Sequence, residues 1–258
     1  IFCTPEQIEA EIDGCLDFAV AVLDAFGFKD YHAELSVWDE SDRKSYASTD
    51  ENWHLAIGSL EKALQRRNMR YKTMPGEAVF YGPKIDVKLV DAIGRPWQLS
   101  TIQFDFTLPE RFKLEYVGED GQRHQPLMVH RALWGSVERF FGVLIEHYAG
   151  AFPVWLSPVQ TVLIPISERH KDYADQVAAQ LRGVGVRVEV DARNEKMNAK
   201  IREHAMQKVP FLLVVGDKEA EAGKVNVRTR GKEKTDDMPA AEFVAKIKHL
   251  IESKSPTL

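Results

Sequence analysis

The sequence has few cysteines and no long apolar run, and both features narrow the class of protein. Cys3 and Cys15 are the only cysteines among 258 residues. They predict neither a disulfide framework nor a zinc ribbon, and they fit a reducing compartment. No stretch reaches the roughly 20 apolar residues that cross a membrane, and the acidic residues soon after Ile1 do not match a signal peptide. We therefore expect a cytoplasmic globular protein with no membrane partner.

Charge is unevenly distributed along the chain. Its length and its 44% hydrophobic content suit one large or two ordinary domains. Residues 157–258 carry three more basic than acidic side chains, whereas residues 1–156 carry eight more acidic ones. The basic part permits contact with nucleic acid without requiring it. No Gly-x-Gly-x-x-Gly pattern exists, which argues against a dinucleotide-binding protein.

Residues 1–156 predict helices and an antiparallel hairpin. Thr4, Pro5 and Gln7 match a helix start with a capping box, and Gly27 matches that helix's end. Further predicted elements are strands over 31–37, 85–89, 97–106 and 127–129, and helices over 53–67 and from Leu133 to about His147.

Polar side chains mark the second strand of the hairpin. Because strand side chains alternate, Thr101 and Gln103 share a face. Gln98 belongs to the other face unless a bulge intervenes. From the pattern alone, a solvated sheet face and a binding surface are both open interpretations.

An arginine lies within the apolar helix that follows residue 129. Leu133, Val137, Phe140, Phe141 and Ile145 recur near helical spacing and predict the helix's buried side. Arg139 lies in this run, so we expect it to need a partner. Its planar fork suits a carboxylate or a phosphate, and a structural ion pair with a glutamate is the alternative.

Residues 157–258 predict a separate α/β domain. Strands and helices alternate there after the turn-rich connector 150–158, which indicates a mostly parallel, five-stranded sheet. The predicted strands cover 159–166, 186–190, 211–215 and 224–230, and the predicted helices cover 170–182, 197–208 and 239–253.

One stretch carries a family resemblance. Gly-Ser-x-Glu-Arg-Phe at 135–140 resembles motif 3 of class II aminoacyl-tRNA synthetases, and His130-Arg-Ala132 before it resembles the threonyl branch. The likeness extends over nearly all of the chain. It implies the carboxyl-terminal part of a class II catalytic domain over 1–156 and an anticodon-binding domain over 157–258. The implied activity is ATP-dependent ligation of threonine to tRNA through threonyl-adenylate, with Mg²⁺ accompanying ATP, in a homodimer.

Two further stretches are similar to the family's substrate-binding segments. They are Tyr81-Gly-Pro-Lys84 and Gln98-x-x-Thr-x-Gln-x-Asp-Phe106. The resemblance implies Tyr81 and Gln103 for threonine, Gln98, Thr101 and Arg139 for ATP, and Lys84 with Arg139 for catalysis. Leu99, Ser100 and Trp134 depart from the family pattern, so the pocket wall is expected to differ slightly.

His130 is the implied metal ligand. In the threonyl branch the histidine of this motif is one of three Zn²⁺ ligands, and the resemblance places the other two upstream of Ile1. An open zinc position would bind threonine through its amino and hydroxyl groups together. Valine lacks the hydroxyl and would be rejected. A hydrogen-bonded core histidine is the alternative interpretation.

The second domain carries the implied tRNA contacts. Segments at 191–196, 200–204 and 216–219 resemble the anticodon-binding domain that threonyl, prolyl, glycyl and histidyl synthetases share. Amide, arginine and lysine side chains suit exposed base edges and phosphates. The implied anticodon-binding residues are Asn194, Lys196, Arg202, Glu219 and Arg228.

Two alternatives stay open from the residues. A prolyl-type enzyme is the nearest, although His130-Arg-Ala132 and Tyr81-Gly-Pro-Lys84 argue against it. The other is a catalytically incomplete, tRNA-binding fragment, because motifs 1 and 2 and the family's editing region have no counterpart in these residues.

Overall fold

The structure is a computed structural model that describes all 258 residues. They form two compact units, Ile1–His147 and Tyr148–Leu258. The boundary that the sequence suggested, after residue 156, lies inside the second unit, at the end of the 3₁₀ turn Val154–Leu156. No helix combines the length and the apolar character that spanning a bilayer requires.

The first unit is built on a six-stranded sheet. Its strands are β1 (Phe2–Cys3), β2 (Tyr31–Val37), β3 (Tyr71–Pro75), β4 (Lys84–Val90), β5 (Pro96–Phe104) and β8 (Leu127–Ala132), and a separate hairpin pairs β6 (Tyr116–Val117) with β7 (Arg123–His124). Its helices are α1 (Ile8–Ala25), α2 (Asp50–Arg66), α3 (Thr107–Arg111) and α4 (Val137–Tyr148). The sheet order is β1-β8-β5-β4-β2-β3, and every pairing is antiparallel except β2 with β3.

Strand alternation gives this sheet one apolar and one polar face. Ile85, Val87 and Leu89 of β4 are buried in the core beneath helices α1 and α2. Lys84 and Asp86 therefore face the opposite side. The predicted hairpin is confirmed, and its polar face is available for binding.

Helix α4 buries a narrower face than its apolar residues suggested. Phe140, Val143 and Leu144 are buried, whereas Val137 and Phe141 are 62% and 56% exposed. The prediction that Val137, Phe141 and Ile145 belong to the buried side was wrong, since Ile145 is exposed as well. The reason is that Phe140, Val143 and Leu144 define the buried face, and at roughly 100° of rotation per residue Phe141 and Ile145 point away from its middle, while Val137 lies in the first turn at the edge of that face.

The second unit is a sheet with helices on both faces. Its strands are β9 (Thr161–Pro165), β10 (Val188–Val190), β11 (Phe211–Val215), β12 (Lys224–Thr229) and β13 (Asp236–Pro239), and its helices are α5 (Lys171–Gly183), α6 (Met197–Met206), α7 (Asp217–Ala222) and α8 (Ala240–Glu252). In the order β10-β9-β11-β12-β13, the first two pairings are parallel and the last two are antiparallel. The sheet has the five strands that were expected, but only four of them were located from the sequence, and the sheet is mixed rather than mostly parallel. Residues 216–223 are too few for the dozen-residue crossover that a parallel β12 would need.

Candidate active site and RNA-binding surface

Five of the side chains implied for catalysis and substrate binding lie on the polar face of the first sheet. Lys84 on β4 pairs with Gln103 on β5, and Gln103 pairs with His130 on β8. Two residues further along β4, and therefore on the same face of the sheet, Asp86 lies opposite Thr101. Because directly paired residues have neighbouring Cβ atoms, these side chains form one continuous polar surface.

A β-bulge adds Gln98 to this surface. Val87 pairs with Ser100 and Lys88 with Gln98, so Leu99 is the extra residue of β5. Gln98 Nε2 consequently reaches Thr101 Oγ1 at 2.9 Å and Asp86 Oδ1 at 2.6 Å. Strict alternation would have placed Gln98 on the opposite face.

Asp86, to which no role was assigned from the sequence, connects three of the implied site residues. Besides Gln98, its Oδ1 accepts a hydrogen bond from Thr101 Oγ1 at 2.7 Å. Its Oδ2 accepts one from Lys84 Nζ at 2.5 Å. The carboxylate side chain is only 4% exposed.

A cavity of about 410 Å³ opens beside these residues. Its lining residues are Phe80, Tyr81, Gln103, Asp105, Thr107, Leu108, Arg111 and His130. Tyr81 donates a hydrogen bond to Gln103 Oε1 at 3.2 Å, so the two residues implied for threonine meet at this cavity. Thr107 and Arg111 carried no signal in the sequence, because α3 has only five residues and shows no periodicity.

His130 is held at the cavity by a buried carboxylate. Its Nε2 lies 2.8 Å from Asp105 Oδ2, and the imidazole is 45% exposed. Asp105 Oδ1 accepts hydrogen bonds from the backbone N–H groups of Thr107 and Leu108, at 2.8 and 2.9 Å. Asp105 therefore fixes both the start of α3 and the orientation of the histidine. His130 is consequently not the buried core histidine of the alternative interpretation.

Arg139 is exposed and has no acidic partner. Its Nη1 donates to the backbone oxygen of Gln98 at 2.9 Å, and its backbone N–H donates to Ser136 Oγ at 3.1 Å. The alternative interpretation, a structural ion pair with a glutamate, does not hold, since Arg139 contacts Gln98 and Ser136. A neutral carbonyl partner orients the guanidinium and leaves its charge available for an anion.

The second unit gathers polar residues at the carboxyl edge of its parallel strands. Asn194 follows β10, and Glu219 follows β11 and accepts a hydrogen bond from Gly216 N–H at 2.8 Å. A cavity of about 360 Å³ at this edge is lined by Pro165, Ile166, Ser167, Glu168, Ala192, Arg193, Asn194, Glu195 and Lys200. Lys196, an exposed residue, precedes α6 at the same edge.

Buried Asp191 holds the Asn194 loop in place. Hydrogen bonds from Arg193, at 2.7 and 2.9 Å, and from His204, at 2.9 Å, keep the pKa of this carboxyl well below its usual range. Lys200 is buried and donates to the backbone oxygen of Asp191 at 2.9 Å. The loop beside the cavity is thus anchored from α6.

Arg228 lies away from the other implied tRNA contacts. It pairs with Leu212 near the beginning of β11, towards the opposite end of the sheet. A groove of about 320 Å³ there is lined by Ile201, Ala205, Val209, Leu212, Arg228, Thr229, Arg230, Gly231 and Lys232. Arg202 is exposed on α6, between the two ends. The five implied residues therefore do not converge on one pocket: Asn194, Lys196 and Glu219 lie towards one end of the sheet, Arg228 towards the other, and Arg202 on α6 between them.

Two family models match this architecture. Residues 1–148 match the tRNA synthetase class II core domain (G, H, P, S and T), and residues 160–250 match the anticodon binding domain. The chain is thus a class II synthetase core followed by an RNA-binding domain.

Individual relatives agree with the two family matches. The threonine--tRNA ligase of Acidobacterium capsulatum is 66% identical over 258 residues, and that of Sulfurihydrogenibium sp. is 52% identical over 254. These matches cover 100% and 98% of this chain but only 38% and 39% of the relatives. The chain therefore spans about two fifths of their length.

Solved structures show the same fold. The RNA binding domain of threonyl-tRNA synthetase from Cryptosporidium parvum Iowa II superposes with a TM-score of 0.89 at 37% identity, covering 96% of this chain and 62% of that one. A putative threonyl-tRNA synthetase from Aeropyrum pernix has a TM-score of 0.81 at 29% identity, with 99% and 63% covered. The chain belongs to the class II tRNA synthetases of the G, H, P, S and T group, and the predicted resemblance to the threonyl branch is confirmed.

Proposed function

We propose that this chain forms the amino-acid-activating surface and the anticodon-binding domain of an enzyme that ligates threonine to tRNA. The observation that supports this most is the polar sheet face, where Lys84, Gln98, Thr101, Gln103 and His130 meet beside a cavity of about 410 Å³. Its relatives carry the name threonine--tRNA ligase. The enzyme would work in the cytoplasm, as a homodimer.

In this proposal the sheet face holds ATP and threonine for in-line reaction. Gln98 and Thr101 bind the nucleotide, and Arg139 binds its γ-phosphate. Mg²⁺ accompanying ATP would neutralise the remaining phosphate charge. The threonine carboxylate attacks the α-phosphate, pyrophosphate leaves, and threonyl-adenylate forms. Lys84 stabilises the adenylate before transfer to the terminal adenosine of tRNA. No covalent protein nucleophile is needed, because positioning and charge stabilisation lower the barrier.

His130 suits one position in a zinc site. A ligating histidine commonly donates its other ring nitrogen to a carboxylate, and His130 Nε2 has this relation with Asp105 Oδ2 at 2.8 Å. No group of three potential ligands occurs in the structure, so this chain would supply a single ligand. Bound zinc would act as a Lewis acid towards the amino and hydroxyl groups of threonine. Tyr81 and Gln103 would orient the same amino acid at the cavity.

The second unit would bind the anticodon along α6. A helix of ten residues is about 15 Å long, which is enough for more than one nucleotide between Asn194 at one end and Arg228 at the other. Asn194 and Glu219 suit base edges at the carboxyl-edge cavity. Lys196 and Arg202 suit the backbone phosphates.

Ligand selectivity tests the activating half of the proposal. We expect the purified chain to bind a non-hydrolysable threonyl-adenylate analogue in isothermal titration calorimetry more tightly than its prolyl counterpart. Equal affinity, a preference for the prolyl compound, or no binding of either would overturn the proposal for this unit.

RNA binding tests the other half. Arg228→Ala should weaken binding of tRNA with a threonine anticodon by about 1–3 kcal/mol, and binding of a tRNA with an altered anticodon by less. Arg182→Ala is the matched control, because Arg182 is exposed at the end of α5, on the opposite face of the sheet. Equal losses in the two variants would contradict an anticodon site at Arg228.

A further inference from the structure

We infer that Asp86 is a positioning residue that makes Gln98 and Thr101 hydrogen-bond acceptors for a donor on the nucleotide, such as a ribose hydroxyl. The inference rests on the proposed function, and it deepens the assignment of this sheet face. It starts from the contacts of one buried carboxylate. Asp86 accepts from Gln98, Thr101 and Lys84 within 2.7 Å and is 4% exposed.

Asp86 differs from the other buried aspartates in the kind of donor that it binds. Asp91, Asp105 and Asp191 each accept hydrogen bonds from backbone N–H groups and thereby hold a loop or a helix start. Asp86 accepts only from side chains, and all three belong to the proposed site. Burying a carboxylate is costly unless it is paired, and here the pairing orders the site rather than the backbone.

The carboxylate determines which way Gln98 points. An ionised carboxylate only accepts hydrogen bonds, so Gln98 must present its Nε2 amide to Asp86 at 2.6 Å. Its Oε1 is thereby directed away from Asp86. Thr101 likewise donates its hydroxyl hydrogen to Asp86 Oδ1, and its Oγ1 accepts a hydrogen bond from Gln98 Nε2 at 2.9 Å. Both residues are therefore acceptors towards a ligand, and the complementary group on that ligand is a donor.

Lys84 is the third side chain bound to Asp86, and it presents a hydrogen-bond donor where Gln98 and Thr101 present acceptors. Its ammonium lies 2.5 Å from Asp86 Oδ2, which holds it beside the two acceptors. An ammonium suits a phosphate oxygen, whereas Gln98 and Thr101 suit hydroxyls. The surface thus matches a phosphate–ribose unit of an adenylate, with Asp86 setting the polarity on both sides.

Deoxy ligands test this polarity directly. The probe is threonyl-sulfamoyladenosine, compared with its 2′-deoxy and 3′-deoxy forms, titrated into the 258-residue chain. We expect the unsubstituted protein to bind at least one deoxy form about tenfold more weakly, as loss of one good hydrogen bond implies. Asp86→Asn lets Gln98 turn over, because asparagine can donate or accept, so the discrimination should shrink several-fold. A purely structural role would lower all three affinities equally, and that result would overturn the inference.

The rate of chemical modification of Lys84 is a second test of the positioning role of Asp86, and it needs no ligand. We expect faster acylation of Lys84 in Asp86→Asn, measured by mass spectrometry, because its carboxylate partner is gone. Asp86→Ala also removes the carboxylate and replaces the asparagine variant if that variant does not fold. Glu34→Gln is the matched control, since it removes the carboxylate that pairs with Lys88 at 2.5 Å on the same sheet face.

Analogue binding and Lys84 acylation together distinguish failure of the proposed function from failure of the positioning role of Asp86. If the unsubstituted chain binds no adenylate analogue, the proposed function fails, and unchanged Lys84 acylation in folded Asp86→Asn overturns the positioning role independently. If the analogue binds, unchanged deoxy discrimination in Asp86→Asn overturns it.

Discussion

Gly82 gives the sharpest structural prediction, because β5 leaves no room for a side chain there. A Cβ atom at Gly82 would lie 2.2 Å from the backbone oxygen and 2.7 Å from the carbonyl carbon of Phe104. Both contacts are with backbone, so no flexible side chain can give way. To reach ordinary van der Waals separation, the Tyr81–Lys84 segment would have to retreat by about 1 Å.

The expected cost of Gly82→Ala follows from this displacement. Overpacking of a tight site costs about 1–3 kcal/mol. The retreat also strains the hydrogen bonds from Phe104 N–H to Pro83 O, at 3.0 Å, and from Phe106 N–H to Tyr81 O, at 2.9 Å, each worth about 1 kcal/mol. We therefore expect the free energy of unfolding of the first unit to fall by about 2–4 kcal/mol. The contact between Tyr81 and Gln103 should loosen as well.

Denaturant unfolding followed by tryptophan fluorescence measures this cost. Four of the five tryptophans belong to the first unit and only Trp155 to the second, so the signal reports mainly on the unit that carries Gly82. Gly58→Ala in α2 is the matched control. A Cβ there meets nothing within 4 Å, and alanine should stabilise the helix by about 0.5–1 kcal/mol. If Gly82→Ala destabilises by less than about 0.5 kcal/mol, the steric reasoning is refuted.

Three further predictions concern stability. Phe243→Ala should cost the second unit about 3–5 kcal/mol in denaturant unfolding, since Phe243 is fully buried; a loss below 1 kcal/mol would contradict its place in the core. Burial raises the pKa of Asp91, but hydrogen bonds from Trp97 and Arg95 outweigh it and hold that pKa below its usual range. The contribution of Asp91 to the free energy of unfolding is therefore present above about pH 4 and is lost as pH falls further. The difference in free energy of unfolding between wild type and Asp91→Asn should consequently narrow from pH 7 to pH 3, and a constant difference would contradict this. Gly135→Ala should cost about 1 kcal/mol in thermal unfolding, because its φ is +65°, and an unchanged melting temperature would show that this turn tolerates alanine.

Elements with a strong hydrophobic pattern were predicted well from the sequence. Strand β4 alternates Ile85, Val87 and Leu89 with polar residues, and the structure buries all three. Strand β11 is a continuous apolar run and lies between two other strands, fully buried. In both cases the pattern follows directly from which faces of the strand contact the core.

Short or polar elements escaped prediction for a physical reason. Helix α7 has six residues and depends on Glu219 accepting from Gly216 N–H rather than on an apolar face. Strand β13 reads Asp-Asp-Met-Pro and lies at the sheet edge, where polar residues and a terminal proline are tolerated. Neither segment carries the periodicity on which sequence reasoning depends.

The candidate site shows a different limit, since its residues could be named from the sequence but their chemistry could not. One extra residue at Leu99 shifts the pairing and brings Gln98 to the polar face. Asp86, separated from Gln98 by 12 positions, then fixes the orientation of its amide through a contact of 2.6 Å. A glutamine can donate or accept, and only its neighbours determine which. The polarity of the proposed nucleotide site is therefore a property of the folded sheet, and we expect it to weaken if that single carboxylate is replaced by an amide that can donate as well as accept.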